Sequence, residues 1–521
     1  MVAALLSGLV PGAGHWFVGR RRRGLWWFLP FAAVVLVGVV VAMRGKVELV
    51  VLLVQPAWLW SFAVLNVGVV LLRIAAAIDA HALAGGRWRS AGAAVTAVLV
   101  LVLMSPHLLV GAYAADLLGL LEDVFVVDDR VTNAATQAAR YRGAQNRTVA
   151  TVAAEERGSI VVLSDGVLAN QPDGVQRVVT PAFGEIPSPR FSPFEDEVER
   201  VTVLLAGGDA GPGRFGLRTD VMIVATLDLV ADRAVLFSIS RELVGFPMPA
   251  AWDQLFEREE ERFWNIHRNR DLAGTSLATD PAPEVFEPTG IWPNRINAIY
   301  PYAAGTVDAY YPGSPDPAMD ALADTLEIAL GIPIPLWVLV DMEGFVDLVD
   351  AIGGVEVNSL EPMHVTFSPE REGAEPIVID IDPGRHRLDG RSALAYVRNR
   401  SDSNDLVRTR RQRCMLREVA ASADPLTILS NFDSITAAVR DHTTTNIPLR
   451  LLPDLVEAAG SLDRSSIVTT AFQASARHAP DSNYRGLRIV DVDAVRATVQ
   501  RTLEQVASGE PAIAGQEDEC S

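Results

Sequence analysis

Tyr396-Val397-Arg398-Asn399-Arg400, followed by Asp405, Arg408, Arg410, Arg411 and Gln412, sets five arginines and one carboxylate close together in the chain. They fall within about four to five helical turns of sequence. Arginine presents a planar fork of donors that grips phosphate oxygens two at a time. A pyrophosphate carries several anionic oxygens and needs several such forks. The bland alternative is a solvated basic helix face, the commonest meaning of a charge run. Two facts weigh against it: the rest of the soluble region is acidic, and a second arginine–carboxylate group, Arg218-Thr219-Asp220, lies far upstream.

The elements that must position these residues begin with a membrane region. The chain has 521 residues, a formal charge of −19 and 49% hydrophobic residues. Nucleic acid is therefore excluded as an expected partner, and the length allows more than one structural region. The apolar excess sits in residues 1–117, read as an all-α membrane region. Three runs, about 25–43, 47–72 and 91–117, each supply the ~20 apolar residues a bilayer core requires. Arg20 to Arg23 precede the first run, and Arg73, Arg87 and Arg89 lie between the second and third. The positive-inside rule puts both loops in the cytoplasm and everything after about residue 118 outside the cell. Residues 1–19, broken by Pro11, Gly12 and Gly14, read as an interfacial or re-entrant segment. The expected localisation is multi-pass in the cell membrane, with an extracytoplasmic catalytic domain.

Residues 118–197 read as an extracellular spacer, proline-rich from Pro181 to Pro193. From Val201 the pattern becomes α/β. Val201–Leu205, Val221–Leu227, Ala234–Ile239 and Leu336–Val340 are strand candidates. Ala318–Leu330, Gly344–Ile352, Asp405–Ser422 and Asp491–Ala507 are helix candidates. Such alternation argues for a sheet covered on both faces over residues 198–508, with an acidic, disordered tail at 509–521. The two cysteines, Cys414 and Cys520, make neither a disulfide framework nor a zinc site.

An ordered series of segments in this domain resembles the LytR-CpsA-Psr cell-wall ligase family, over roughly residues 199–508. Leu204-Leu205-Ala206-Gly207-Gly208-Asp209 is similar to its opening strand and aspartate. Arg218-Thr219-Asp220-Val221-Met222 and Ser238-Ile239-Ser240-Arg241-Glu242 resemble its two arginine motifs, with Ser240 and Glu242 in place of proline and aspartate. Arg295-Ile296-Asn297-Ala298, Val340-Asp341-Met342-Glu343-Gly344-Phe345, Leu388-Asp389-Gly390 and the arginine segment follow in the family's order. Arg413 stands where a second glutamine is common. The alanine- and arginine-rich composition suggests an actinobacterial member, whose polymer could be arabinogalactan or a capsular glycan.

The resemblance implies an α/β/α sandwich with an apolar pocket for a polyprenyl lipid. It implies a membrane-anchored phosphotransferase that moves a glycopolymer from a polyprenyl-pyrophosphate carrier to a cell-wall acceptor such as peptidoglycan, with Mg2+ or Mn2+. It assigns the metal to Asp209 and Asp220, two carboxylates of the kind Mg2+ takes from a protein. Read from the residues alone, spacing favours Asp209 as a turn residue after Gly207-Gly208, and the alternative for Asp220 is a salt bridge to Arg218. Arg218, Arg241, Arg398, Arg400, Arg408 and Gln412 would hold the pyrophosphate. Helical spacing puts Asp405, Arg408 and Gln412 on one face, with Arg410 and Arg413 turned to solvent or to acidic partners. Asp405 could orient Arg408, cap the helix or take the acceptor's proton. Leu322, Leu326, Leu330, Leu336, Val338, Phe345, Leu348, Ile428 and Leu429 could line the lipid channel or fill ordinary core. The expected chemistry is direct attack by an acceptor hydroxyl on the carrier-linked phosphate, with polyprenyl phosphate leaving. The alternatives are a polyprenyl-pyrophosphate phosphohydrolase using water, and a non-catalytic lipid-binding or regulatory envelope protein.

Overall fold

A computed structural model describes residues 2–84, 90–125, 161–163, 166–170, 176–179, 200–209, 217–249, 291–292, 294–311, 313–367, 377–399, 405–422, 430–462, 467–473, 478–479 and 488–508. The chain divides into two compact units, Met1–Asp123 with Leu449–Ser461, and Val124–Pro448 with Leu462–Ser521.

The first unit is helical: α1 (Val2–Leu9), α2 (Ala13–Phe17), α3 (Arg21–Ala42), α4 (Lys46–Leu53), α5 (Pro56–Leu83) and α6 (Ser90–Val124). The expected second span, 47–72, is two helices instead. Pro56 lacks the N–H that would continue α4 and is pre-set for the first turn of α5. Among the described residues, two helices are long and apolar enough to cross a membrane, Arg21–Val41 and Pro56–Leu83. The third expected span falls in α6, where the side chains of residues 91–104 lie outside the described residues. Residues 1–19 do not span: the eight residues of α1 reach only ~12 Å, less than half a bilayer core of ~30 Å. Instead α1 packs on α5, where Ala76 and Ala80 are fully buried. Gly14 is required, because a Cβ there would sit 1.7 Å from the Ala3 carbonyl oxygen. Asp79 on α5 gathers the surrounding helices: Arg23 donates to it twice (2.9 and 2.7 Å), Trp27 once (2.9 Å), and His15 lies at 2.8 Å.

The second unit is α/β. Strands β1 (Val161–Leu163), β2 (Gly166–Asn170) and β3 (Gln176–Val179) form an antiparallel sheet within the segment expected to be a spacer. Then come β4 (Arg200–Asp209), β5 (Arg218–Asp228), β6 (Arg233–Ile239), β7 (Phe246–Pro247), β8 (Ile291–Trp292), α7 (Ile299–Ala303), α8 (Pro317–Leu330), β9 (Leu336–Asp341) and α9 (Met342–Ala351). After these follow β10 (Val355–Ser359), β11 (Met363–Phe367), β12 (Ile377–Ile381), β13 (Gly384–Leu388), α10 (Gly390–Arg398), α11 (Asp405–Ser422), α12 (Phe432–His442), β14 (Thr443–Thr445), then α13 (Leu452–Ser461), which belongs to the first unit, and finally β15 (Ile467–Phe472) and α14 (Val492–Ala507).

The central sheet has six strands in the order β14-β9-β4-β5-β6-β15. β9 runs parallel to β4, and β15 parallel to β6, while β5 is antiparallel to both β4 and β6. The carboxyl ends of β9, β4, β6 and β15 therefore share one edge with the start of β5. In open α/β sheets that edge is where ligands bind. Leu204, Met222, Phe237 and Trp337 on one sheet face bury against Leu322 and Leu326 of α8 and Val499 of α14. Asp316 caps α8 by accepting from Ala318 (3.1 Å), Pro317 opens it, and Gly331 (φ 72°) closes it. On α14, Arg496 donates twice to the Ile328 carbonyl at the end of α8 (3.1 and 2.7 Å).

A second apolar cluster joins Val349 of α9, Val355, Leu388, Tyr396 of α10 and Met415 of α11, with Phe345 and Leu348 against it. The residues offered for a lipid channel thus divide between two cores: Leu322, Leu326 and Leu330 belong to the first, Phe345 and Leu348 to the second. Ile428 and Leu429 lie outside the described residues. Asp341 caps α9 through Gly344 (2.8 Å) and holds His442 Nδ1 at 3.0 Å. Asp389 caps α10 through Ser392 (2.8 Å).

Candidate phosphate-binding site

β4 ends on Asp209, directly opposite Arg218 at the start of β5. Between them the ladder shifts register: Gly207 pairs with Val221, but Gly208 pairs with Thr219. Asp220 is skipped and is the extra residue of a β-bulge, a device that re-aims a side chain at a sheet edge. Arg241 follows β6 in a turn stitched to β15, where Ser240 N donates to Phe472 O at 2.9 Å. Arg398 is the last residue of α10.

These segments meet. Arg398 Nη2 donates to Asp209 Oδ2 at 3.1 Å, across 189 residues of sequence. Arg241 Nη1 is paired closely with Asp220 Oδ2, and Asn297 Nδ2 donates to Asp220 Oδ1 at 2.8 Å. Glu242 bridges Arg241 Nε (3.4 Å) and Arg295 Nε (2.7 Å). The side chain of Asp209 is 2% exposed, that of Arg241 7% and that of Arg398 29%, so the first two are removed from bulk water and the third is partly so. Burial pushes the Arg398 guanidinium below its usual value; Asp220 opposes this and Arg241 adds to it. Arg398 therefore feels both members of the Asp220–Arg241 pair as well as its own partner.

Two guanidiniums (Arg241 and Arg398) thus stand with two carboxylates at the carboxyl edge of the sheet, where the backbone also places Arg218 opposite Asp209. Buried Arg241 Nη2 has no hydrogen-bond partner among the described residues. A buried charged donor left unpaired costs about 1–3 kcal/mol or more, which an anionic oxygen would recover. Among the described residues no three His, Cys, Asp or Glu side chains gather as a metal cage. Asp209 and Asp220 suit a cation that draws its remaining ligands from phosphate and water, the habit of Mg2+. An ionised carboxylate offers about four lone-pair sites; the bonds from Arg241 and Asn297 occupy two of those on Asp220.

Other expected site residues are placed differently. Asp220 pairs with Arg241 rather than Arg218. Arg400 lies outside the described residues, and Asp405 opens α11 with its side chain undescribed. Arg408 is buried, and Gln412 one turn on is half-buried. Arg411 is buried with its guanidinium carbon 5.4 Å from the Tyr396 ring centroid. Arg413, expected at the surface, is buried (7% exposed). The helix carries buried residues at 408, 411, 413, 414 and 415, so it is enclosed on more than one face and has no simple solvent side there. Cys414 is disulfide-bonded. Asn297 and Glu242 are the site residues to which sequence reasoning gave no role. The signal for Asn297 was an amide inside the apolar stretch Ile296-Asn297-Ala298-Ile299.

Comparison with known proteins fits this geometry. Residues 282–502 match the LytR_cpsA_psr family. Residues 282–502 are thus a LytR-CpsA-Psr domain. Asp209, Arg218, Asp220 and Arg241 lie upstream of the matched residues; Asp209 is tied to them by its bond with Arg398, Asp220 by its bond with Asn297, and Arg241 through Asp220 and through Glu242, which pairs with Arg295. Residues 2–142 match a family of unknown function. The chain is 34% identical over 30% of its length to biofilm regulatory protein A of Streptococcus mutans, covering 37% of that protein. It is 32% identical over 29% of its length to the polyisoprenyl-teichoic acid–peptidoglycan teichoic acid transferase TagU of Enterococcus faecalis, covering 48% of it. It is 35% identical over 22% of its length to the probable cell wall biosynthesis protein LcpB of Corynebacterium glutamicum, covering 26% of it. The chain thus spans less than half the length of each of these curated relatives.

Proposed function

We propose that this chain is a membrane-anchored phosphotransferase that moves a glycopolymer from a polyprenyl-pyrophosphate carrier to a cell-wall acceptor such as peptidoglycan. The observation that carries the reading is the convergence of Arg241 and Arg398 on Asp220 and Asp209, with buried Arg241 Nη2 lacking a partner among the described residues. The names of the E. faecalis and C. glutamicum relatives support cell-wall glycopolymer transfer. The two apolar helices support anchoring, with α6 as a third span. A bonded cysteine is characteristic of an oxidising compartment, which supports an extracytoplasmic domain.

In this reading Arg218, Arg241 and Arg398 bind the diphosphate oxygens, with Arg400, Arg408 and Gln412 extending the grip along the carrier. Asp209 and Asp220 would hold Mg2+ or Mn2+, which neutralises charge on the diphosphate when bound. The acceptor hydroxyl oxygen forms a bond to the glycan-bearing phosphorus. The bond from that phosphorus to the bridging oxygen breaks, and polyprenyl phosphate leaves with the electron pair. The hydroxyl proton passes to Asp405 or to solvent. The protein's share is placement and charge stabilisation rather than covalent chemistry.

The test uses the full chain in lipid nanodiscs, a polyprenyl-pyrophosphate-linked glycan and isolated peptidoglycan. Polymer bound covalently to the wall, lost in the Arg398→Ala variant, is the expected result. Free glycan phosphate without wall attachment would assign a hydrolase instead. Carrier binding with no turnover would assign a non-catalytic role.

A further inference from the structure

Asp220 presents a mechanical problem. As the bulged residue of β5 it has no cross-strand partner, so the ladder does not fix where its carboxylate points. Arg241 cannot fix it alone, because a long side chain with several rotatable bonds is itself oriented by the carboxylate it grips. Asn297 is the short, rigid partner in the group. It is 4% exposed, and its neighbours Ile296 and Ala298 are fully buried in a single 3-10 turn. That turn is stitched to the segment following Arg241: Ile296 N donates to Leu243 O (3.0 Å), and Gly245 N donates to Trp292 O (3.1 Å). Trp292 Nε1 in turn donates to Arg295 O at 2.9 Å. Arg295 holds Glu242, so the Arg295–Asn297 turn grips both ends of the chain of side chains running Asp220, Arg241, Glu242. An ionised carboxylate only accepts hydrogen bonds, so the amide of Asn297 must present Nδ2 to it.

We propose that Asn297 is a positioning residue, locking Asp220 through Oδ1 so that one carboxylate both anchors Arg241 and serves a divalent cation. The inference rests on the cation reading of Asp209 and Asp220 given above. Partners that orient a metal-binding side chain typically contribute 10–100-fold in affinity. Asn297 contributes no charge of its own, so its whole effect runs through Asp220.

The experiment measures Mn2+ affinity of the full chain in nanodiscs by the electron paramagnetic resonance signal of free Mn2+, with inorganic pyrophosphate present. Wild type, Asn297→Ala, Asp220→Asn and the double variant are compared, alongside their thermal midpoints. The expected result is a roughly tenfold weaker Mn2+ affinity for Asn297→Ala, with no further loss when the same change is added to Asp220→Asn. Should the alanine variant fail to fold, Asn297→Ser keeps a polar side chain too short to reach Asp220 and is expected to show the same loss. Wild-type binding with Asn297→Ala within twofold of it overturns the proposal, as does an equal loss in the Asp220→Asn background. No Mn2+ binding by wild type overturns the cation reading itself and this inference with it.

Discussion

Arg241→Lys separates the structural and ligand-binding duties of one side chain. Arg241 Nη1 holds Asp220, while Nη2 is buried with no partner among the described residues. A lysine carries one compact ammonium in place of a two-pronged fork. It can satisfy Asp220 or a ligand oxygen, but it cannot span both as the guanidinium does. The fold keeps its ion pair at Asp220 but loses the contact of Nε with Glu242, so stability is expected to fall by about 1 kcal/mol. The ligand loses one charge-assisted hydrogen bond, worth about 1.5–3 kcal/mol, which is roughly a ten- to hundredfold loss of affinity. Isothermal titration of the full chain with inorganic pyrophosphate at constant ionic strength measures the second quantity, and the thermal midpoint measures the first. Pyrophosphate affinity within twofold of wild type would refute the assignment of Nη2 to a phosphate oxygen. A large drop in midpoint with affinity unchanged would reassign Arg241 to the core alone.

Two further outcomes follow from parts of the domain away from the diphosphate. His442 has its pKa raised from 6.5, first by its hydrogen bond to Asp341 and then by the charges of Asp341, Asp347 and Asp441, with burial opposing. A folded value above the unfolded one means the stabilisation is fully present below about pH 6.5 and is lost as pH rises through the folded value. The thermal midpoint of wild type should therefore fall across that window relative to His442→Gln, and parallel curves for the two proteins would contradict it. Arg496→Ala removes both donors from the Ile328 carbonyl at the end of α8, a loss of about 1–3 kcal/mol readable by chemical denaturation. Arg496→Lys should restore part of it.

Local sequence carried four of the central strands well, because β4, β5, β6 and β9 each hold a short apolar run bounded by polar or glycine residues. β4, β5, β6 and β9 all lie where such runs predicted them, extended by one to four residues at an end where polar site residues continue the ladder. Asp209 and Arg398 were legible as a pair only through the order of motifs, since no periodicity links residues 189 apart. The bulge at Asp220 was not legible at all. It is a property of the register between β4 and β5, and the β5 sequence alone reads as a regular strand. The surface position expected for Arg413 failed because a helical wheel assumes one buried face, whereas α11 is enclosed on several. The break at Pro56 was legible in principle: a proline ten residues into an apolar run is a helix start as readily as a kink. Whether Cys414 is bonded depended on three-dimensional proximity that composition does not encode.

The ion pairs explain how a dense arginine site can exist before any phosphate arrives. Two guanidiniums close enough to feel each other's charge, as Arg241 and Arg398 are, would move apart if left alone. Asp209 and Asp220 prevent this by pinning Arg398 and Arg241 at distinct points on neighbouring strands, and Glu242 ties Arg241 to Arg295. Side chains already ordered lose little conformational freedom on binding, so more of each phosphate contact appears as affinity. The same fixed charges need little reorganisation as negative charge shifts toward the leaving oxygen, which is the condition for electrostatic stabilisation of a phosphoryl transfer. Removing either carboxylate should therefore weaken pyrophosphate binding even though it removes a negative charge from an anion site. A simple charge count predicts the opposite sign for Asp209→Asn and Asp220→Asn, so metal-free titrations of these variants separate a pre-ordered site from a merely positive one.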